Sequence, residues 1–137
     1  MIRIGLYSED AKLQQILSSA LGKEFQVLFE STEEGINCLL ADGGCEVTIL
    51  DLDSDHPSLQ QRIASCRRLV GSRVSSVVMA DDALRATAAE LVRLGAYSYC
   101  RKPPSIRDLK AVLHRAYERS SLQRELRTVQ QDRKSVV

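Results

Sequence analysis

The sequence predicts a doubly wound α/β domain, a parallel five-stranded sheet with helices on both faces, and three observations predict it. Short β-branched or apolar runs alternate five times with longer segments of helical period. Glycine, proline or a capping side chain punctuates those runs. The 137 residues, 44% of them hydrophobic, suit a single core of that size.

Ile2 to Tyr7 reads as the first strand, followed by a helix from Ala11 to Leu21 with Leu13, Ile16, Leu17 and Ala20 on one face, stopped near Gly22. Phe25 to Phe29 is the second strand. Thr32 offers an N-cap to a helix carrying Ile36, Leu39 and Leu40, which the Asp42-Gly43-Gly44 turn ends. Val47 to Leu52 is apolar enough to be a strand buried on both sides, so the charge of Asp51 near its carboxyl end needs a reason. The third helix is expected to start around Pro57, with Leu59, Ile63, Cys66 and Leu69 inward. Val74 to Met79 follows as the fourth strand. Asp81 or Asp82 caps a helix with Leu84, Ala88, Leu91 and Leu94, closed by Gly95 before a short strand around Ser98 to Cys100. Pro103 and Pro104 break that strand, and Ser105 caps a last helix with Ile106, Leu109, Val112, Leu113 and Ala116. From Arg119 to about Arg133 there is no Gly or Pro, so the helix runs on, with Leu122, Leu126 and Val129 spaced four then three apart.

The charge balance excludes several function classes. With 19 basic and 18 acidic side chains the net charge is +1, and the basic residues of the tail lack aromatic partners, so neither nucleic acid nor an anionic membrane is expected as a partner. Cys38, Cys45, Cys66 and Cys100 form no CxxC pair and the only histidines are His56 and His114, which argues against zinc. The cysteines read as reduced core thiols, the histidines as surface residues, and the chain as a soluble cytoplasmic protein without signal peptide or transmembrane span. No P-loop, GxSxG or GxGxxG is present, so no independent enzyme is expected.

Right-handed crossovers leave few ways to wind five such strands, and the flavodoxin-like order 2-1-3-4-5 is the expected one. In that order the carboxyl ends of strands one and three open a crevice. Topology then gathers Ser8, Glu9, Asp10 and Asp51 there, with Ala80 and Lys102 arriving from strands four and five. Clustered carboxylates repel one another unless a cation sits among them, and hard oxygen ligands suit Mg²⁺, with Glu9 and Asp51 as candidate ligands. A lysine at the same rim neutralises a carboxylate or pins a phosphoryl group. Carboxylate, metal and lysine together suggest phosphoryl transfer to Asp51. Asp10, Asp81 and Asp82 read as helix caps.

These residues resemble the receiver domain of bacterial two-component response regulators over residues 1–119. The string Ile49-Leu50-Asp51-Leu52 resembles the phosphoacceptor strand, Leu94-Gly95-Ala96-Tyr97-Ser98-Tyr99 the approach to strand five, and Lys102-Pro103 the lysine and cis-proline pair. The resemblance implies Asp51 as phosphoacceptor for a sensor histidine kinase, Lys102 as the phosphoryl contact, and Tyr99 as the switch aromatic. It places Mg²⁺ on Glu9, Asp51 and the backbone carbonyl of Asp53. The sequence departs from it at two of these positions, and again in the Asp55-His56-Pro57 loop, which has Asp55 in place of the usual proline and lacks the common glycine. Ser8 stands where the first carboxylate of the acidic pair belongs, which weakens Mg²⁺, and Ala80 stands where the strand-four hydroxyl belongs, which weakens coupling between phosphorylation and shape.

Two functions follow. One is a phosphorylated signal-transduction switch read by a downstream protein or an output domain. The other is a phosphorylation-independent pseudo-receiver acting as an interaction module, with Asp51 and Lys102 in a structural ion pair. Residues 120–137 read as a helical extension or linker, frayed at its end, either a coiled-coil seam for a homodimer or a solvated extension.

Overall fold

A computed structural model of the chain describes the backbone of residues 1–136 and the side chains of residues 1–126. Five strands, β1 (Ile2–Tyr7), β2 (Phe25–Glu30), β3 (Val47–Leu52), β4 (Ser75–Ala80) and β5 (Ser98–Arg101), alternate with five helices. The helices are α1 (Ala11–Leu21), α2 (Glu33–Ala41), α3 (Leu59–Leu69), α4 (Arg85–Leu94) and α5 (Ile106–Val136). All strand pairs are parallel and the sheet order is β2-β1-β3-β4-β5, as the alternation predicts.

Strand periodicity divides the core into two layers. Leu6, Ile49 and Val77 face α1 and α5, where they meet Leu17, Leu21, Leu109 and Leu113. Their neighbours Tyr7, Leu50 and Val78 face the other way, toward Ile36 of α2, Ile63 and Cys66 of α3, and Ala88 and Leu91 of α4. β3 and β4, central in the sheet, are buried at all six positions each. Thr32 caps α2 by accepting from the Gly35 amide, and Asp10 caps α1 by accepting from the amides of Lys12 and Leu13. Gly95 ends α4 with φ of 137°, where a β-carbon would stand 2.8 Å from the Val70 carbonyl oxygen, so glycine is required there.

Several sequence expectations need correction. Ile16 is 59% exposed, and the buried positions of α1 are Leu17 and Leu21. Both lie against β-strands, whereas Ile16 is carried one residue, or 100°, around the helix to the solvent side. Pro57 lies in the preceding turn and α3 starts two residues later. Asp81 does not cap α4: a 3-10 turn, Asp82–Leu84, intervenes, and the Asp81 side chain makes no cap bond. Cys38 is exposed, while Cys45 and Cys66 are buried and Cys100 is half-buried, all as free thiols.

The last helix runs through residue 119 without a break. It remains docked at Ser120, which is buried and accepts a hydrogen bond from the Ser75 amide at 2.9 Å. Leu122 and Leu126 beyond it are exposed, and the side chain of Val129 lies outside the described residues. No helix among the described residues is long and apolar enough to cross a membrane.

Candidate functional site

The carboxyl ends of the strands meet as the topology requires. β1 delivers Ser8, β3 delivers Asp51 to Asp53, β4 ends on Ala80 and β5 leads into Lys102. Register fixes the last two against each other: Leu52 pairs with Ala80, Ala80 with Arg101, and the Lys102 amide donates to the Ala80 carbonyl at 3.0 Å. The Lys102–Pro103 peptide is cis, as the resemblance implies.

Asp51 is 4% exposed, and both its oxygens are engaged. Ser8, fully buried, donates its hydroxyl to Asp51 Oδ2 at 2.6 Å, while its oxygen accepts from the Asp10 amide at 3.0 Å. Lys102 Nζ forms an ion pair with Asp51 Oδ1, and among the described residues no other hydrogen-bond donor reaches that oxygen. The same ammonium donates to Asp53 Oδ1 at 2.6 Å. Burial by itself lowers the Lys102 pKa, but the combined hydrogen bonds and charges of Asp51 and Asp53 outweigh it, so the value lies above the ordinary lysine range. Lys102 is therefore a fixed cation clamped between two carboxylates.

Glu9 is turned to a different set of partners. Its carboxylate bonds His56 Nε2, and its Oε1 lies 3.7 Å from the Arg62 guanidinium. The Ser58 amide donates to His56 Nδ1 at 2.9 Å, so Nε2 carries the proton and donates to Glu9. That hydrogen bond lowers the Glu9 pKa and outweighs the opposing effect of burial. His56 thus belongs to the site rather than to the open surface, a correction to the sequence reading. The side chain of His114 is 48% exposed and bonds Glu24 at 3.0 Å.

Arg62 was legible in the sequence only as a polar residue of α3, yet it is 6% exposed. Its guanidinium stacks 4.0 Å from the centre of the Tyr7 ring and reaches the carbonyls of Ser31 at 3.3 Å and Tyr7 at 3.5 Å. Asp81 is also reassigned: its Oδ2 accepts from the Ser54 amide at 3.3 Å and from the Ser54 hydroxyl, tying the loop after β3 to the end of β4. Tyr99 is half-buried beside Val78, on the sheet face that carries Ala80.

At this end of the sheet lies an open cavity of ≈ 350 Å³, lined among others by Glu9, Asp10, Asp51, Asp53, His56 and Arg62. The residues expected to hold Mg²⁺, Glu9, Asp51 and Asp53, all line it, and each already has protein partners. Asp51 is held by Ser8 and Lys102, Glu9 by His56 and Arg62, and the Asp53 carbonyl accepts from the His56 amide at 3.2 Å. Among the described residues no three His, Cys, Asp or Glu groups are placed to share a metal ion.

No protein-family model and no curated protein matches the chain. Its fold does match solved structures. NtrX from Brucella abortus, solved with ADP, superposes with a TM-score of 0.76 at 19% identity over 93% of this chain, which spans 29% of the NtrX chain. The receiver domain of the Francisella response regulator 1452 gives 0.69 at 16% identity, covering 88% of this chain and 99% of that one. The N-terminal receiver domain of a two-component response regulator from Bacteroides fragilis gives 0.70 at 18%, covering 84% and 95%. This chain has the fold of the response-regulator receiver domain.

Proposed function

We propose that this chain is a receiver-fold signalling module that acts by binding proteins, with Asp51 held in a standing ion pair rather than charged through Mg²⁺. The observation that carries this reading is the engagement of both Asp51 oxygens by protein groups, Ser8 on one and Lys102 on the other. Ala80 adds to it, because no hydroxyl is available at the end of β4 to follow a phosphoryl group toward Tyr99. The partner-reading surface is the side formed by α4, β5 and α5, where Tyr99 sits. Leu122 and Leu126, four residues apart and exposed, offer α5 a seam for a second copy. A cytoplasmic location accords with free thiols at Cys38, Cys45, Cys66 and Cys100.

The test is an amide NMR titration of the whole chain with Mg²⁺ and beryllofluoride, an acyl-phosphate mimic, followed at Asp51, Ala80 and Tyr99. The expected result is no saturable shift. Saturable shifts at millimolar metal, abolished by Asp51→Asn, would overturn the reading.

One observation favours a second reading, phosphorylation of Asp51 by a sensor histidine kinase. The cavity opens beside Asp51 with Lys102 against its oxygen, where an ammonium would neutralise an incoming phosphoryl group. In that reading Glu9, Asp51 and the Asp53 carbonyl hold Mg²⁺ and Tyr99 reports the change. Ser8 and Lys102 would first have to release the carboxylate.

A further inference from the structure

The buried guanidinium of Arg62 has no role in either reading of the site. Arginine stays protonated at any pH a protein tolerates, so this is a permanent positive charge, and at 6% exposure solvent screens it little. Its placement is over-determined. The Tyr7 ring lies under it at 4.0 Å, and the carbonyls of Ser31 and Tyr7 anchor its two terminal nitrogens at 3.3 and 3.5 Å. Those three groups come from β1 and from the loop after β2, which hold the charge at the crevice mouth. The only carboxylate within ion-pair distance of it among the described residues is Glu9, at 3.7 Å.

We infer that Arg62 is the resident cation of this site, occupying electrostatically the place of a divalent metal ion and making the acidic crevice metal-independent. This rests on the reading of Asp51 as a standing ion pair, and it names the device that keeps the crevice from recruiting metal. Lys102 is the cation shared by the β3 carboxylates, Asp51 and Asp53; Arg62 is the cation beside the β1 carboxylate, Glu9, which His56 also holds by a hydrogen bond. Each carboxylate expected to hold a metal is thereby matched to a protein donor. An incoming Mg²⁺ would meet a positive charge held in place by the Tyr7 ring and by the carbonyls of Ser31 and Tyr7.

The test is Mg²⁺ binding to the whole chain, read by calorimetry and by amide shifts around Glu9 and Asp51, in four proteins. The wild type is expected not to saturate at millimolar Mg²⁺. Arg62→Met keeps much of the apolar stem but removes the charge, and its affinity should rise about tenfold or more, the order expected when one like charge is removed from beside a divalent ion. Arg62→Lys keeps a charge and should bind no better than the wild type. Ser8→Asp, which restores the missing carboxylate while leaving Arg62, should remain weak. A folded Arg62→Met with wild-type affinity would overturn the inference. Should Arg62→Met fail to fold, Ser8→Asp decides: saturation well below millimolar Mg²⁺ with Arg62 in place sinks the inference, and continued weak binding supports it. The two readings fail separately. Metal-free modification of wild-type Asp51 by acetyl phosphate would end the standing-pair reading and leave Arg62 untouched, whereas absence of any gain in Arg62→Met would end the role of Arg62 and leave Asp51 as described.

Discussion

Replacing Lys102 by methionine removes the cation that Asp51 and Asp53 share and leaves a carboxylate that is 4% exposed with only the Ser8 hydroxyl on it. The lysine side chain is itself only 17% exposed, so solvent compensates little at either end of the pair. Breaking a buried pair from one side typically costs about 3–5 kcal/mol, because the surviving charge keeps its desolvation penalty without its partner. Asp53 is 39% exposed and rehydrates, so the cost belongs mainly to Asp51. For a domain of this size that corresponds to a fall in Tm of roughly 10–20 °C. Removing both charges in Asp51→Asn/Lys102→Met should recover much of the loss, since neither charge then needs a partner. The folded-state pKa of Lys102 is raised, so the contribution of the pair is complete below the ordinary lysine value and is lost as pH rises through the folded one. The gap between wild type and variant should therefore hold through neutral pH and close as the lysine loses its proton in alkali. Urea denaturation of the four members of the cycle measures all of this. A loss below about 1 kcal/mol in Lys102→Met, or strict additivity in the cycle, would refute the ion pair as a structural element.

Three further outcomes follow from the geometry. Leu17→Ala, at a fully buried position, should cost about 2–5 kcal/mol in urea denaturation, whereas Ile16→Ser one residue earlier, 59% exposed, should stay within about 0.5 kcal/mol. Cys38 should react promptly with a thiol reagent in the native protein, while Cys45 and Cys66, whose pKa values burial pushes up to about 11 and about 12, should react only on unfolding. His56→Ala should let the Glu9 carboxyl titrate closer to the ordinary value, since the His56 hydrogen bond holds it down; carbon-detected NMR between pH 2 and 7 would follow this. The stabilisation from that bond is present above the ordinary carboxylate pKa and disappears as pH falls through the lowered one, so an unchanged Glu9 titration would contradict the contact.

Which residues enter the crevice was only partly legible. Asp51 and Lys102 could be placed beforehand because a charge inside an apolar strand and a lysine before a proline stand out against their own neighbours. Thr32 and Asp10 could be read as caps because a cap bonds amides two or three residues away. Arg62 and His56 carried no comparable signal. Arg62 meets Ser31 and Tyr7 across 31 and 55 positions and His56 meets Glu9 across 47, and in sequence both look like ordinary surface residues. Asp81 reads in sequence as a helix cap, and a serine 27 positions away takes its carboxylate instead.

What the sequence determined by itself was the alternation of strands and helices, the parallel order 2-1-3-4-5, and the end of the sheet at which Asp51 and Lys102 would meet. Those follow from local periodicity, from caps, and from the handedness of the crossovers, all of which act within one element or between successive ones. The tertiary structure decided how the site's charges are paired: Lys102 between Asp51 and Asp53, Arg62 and His56 on Glu9, Ser8 on Asp51. Charge pairing depends on separations of a few ångströms between groups tens of residues apart, and only the packed chain sets those distances.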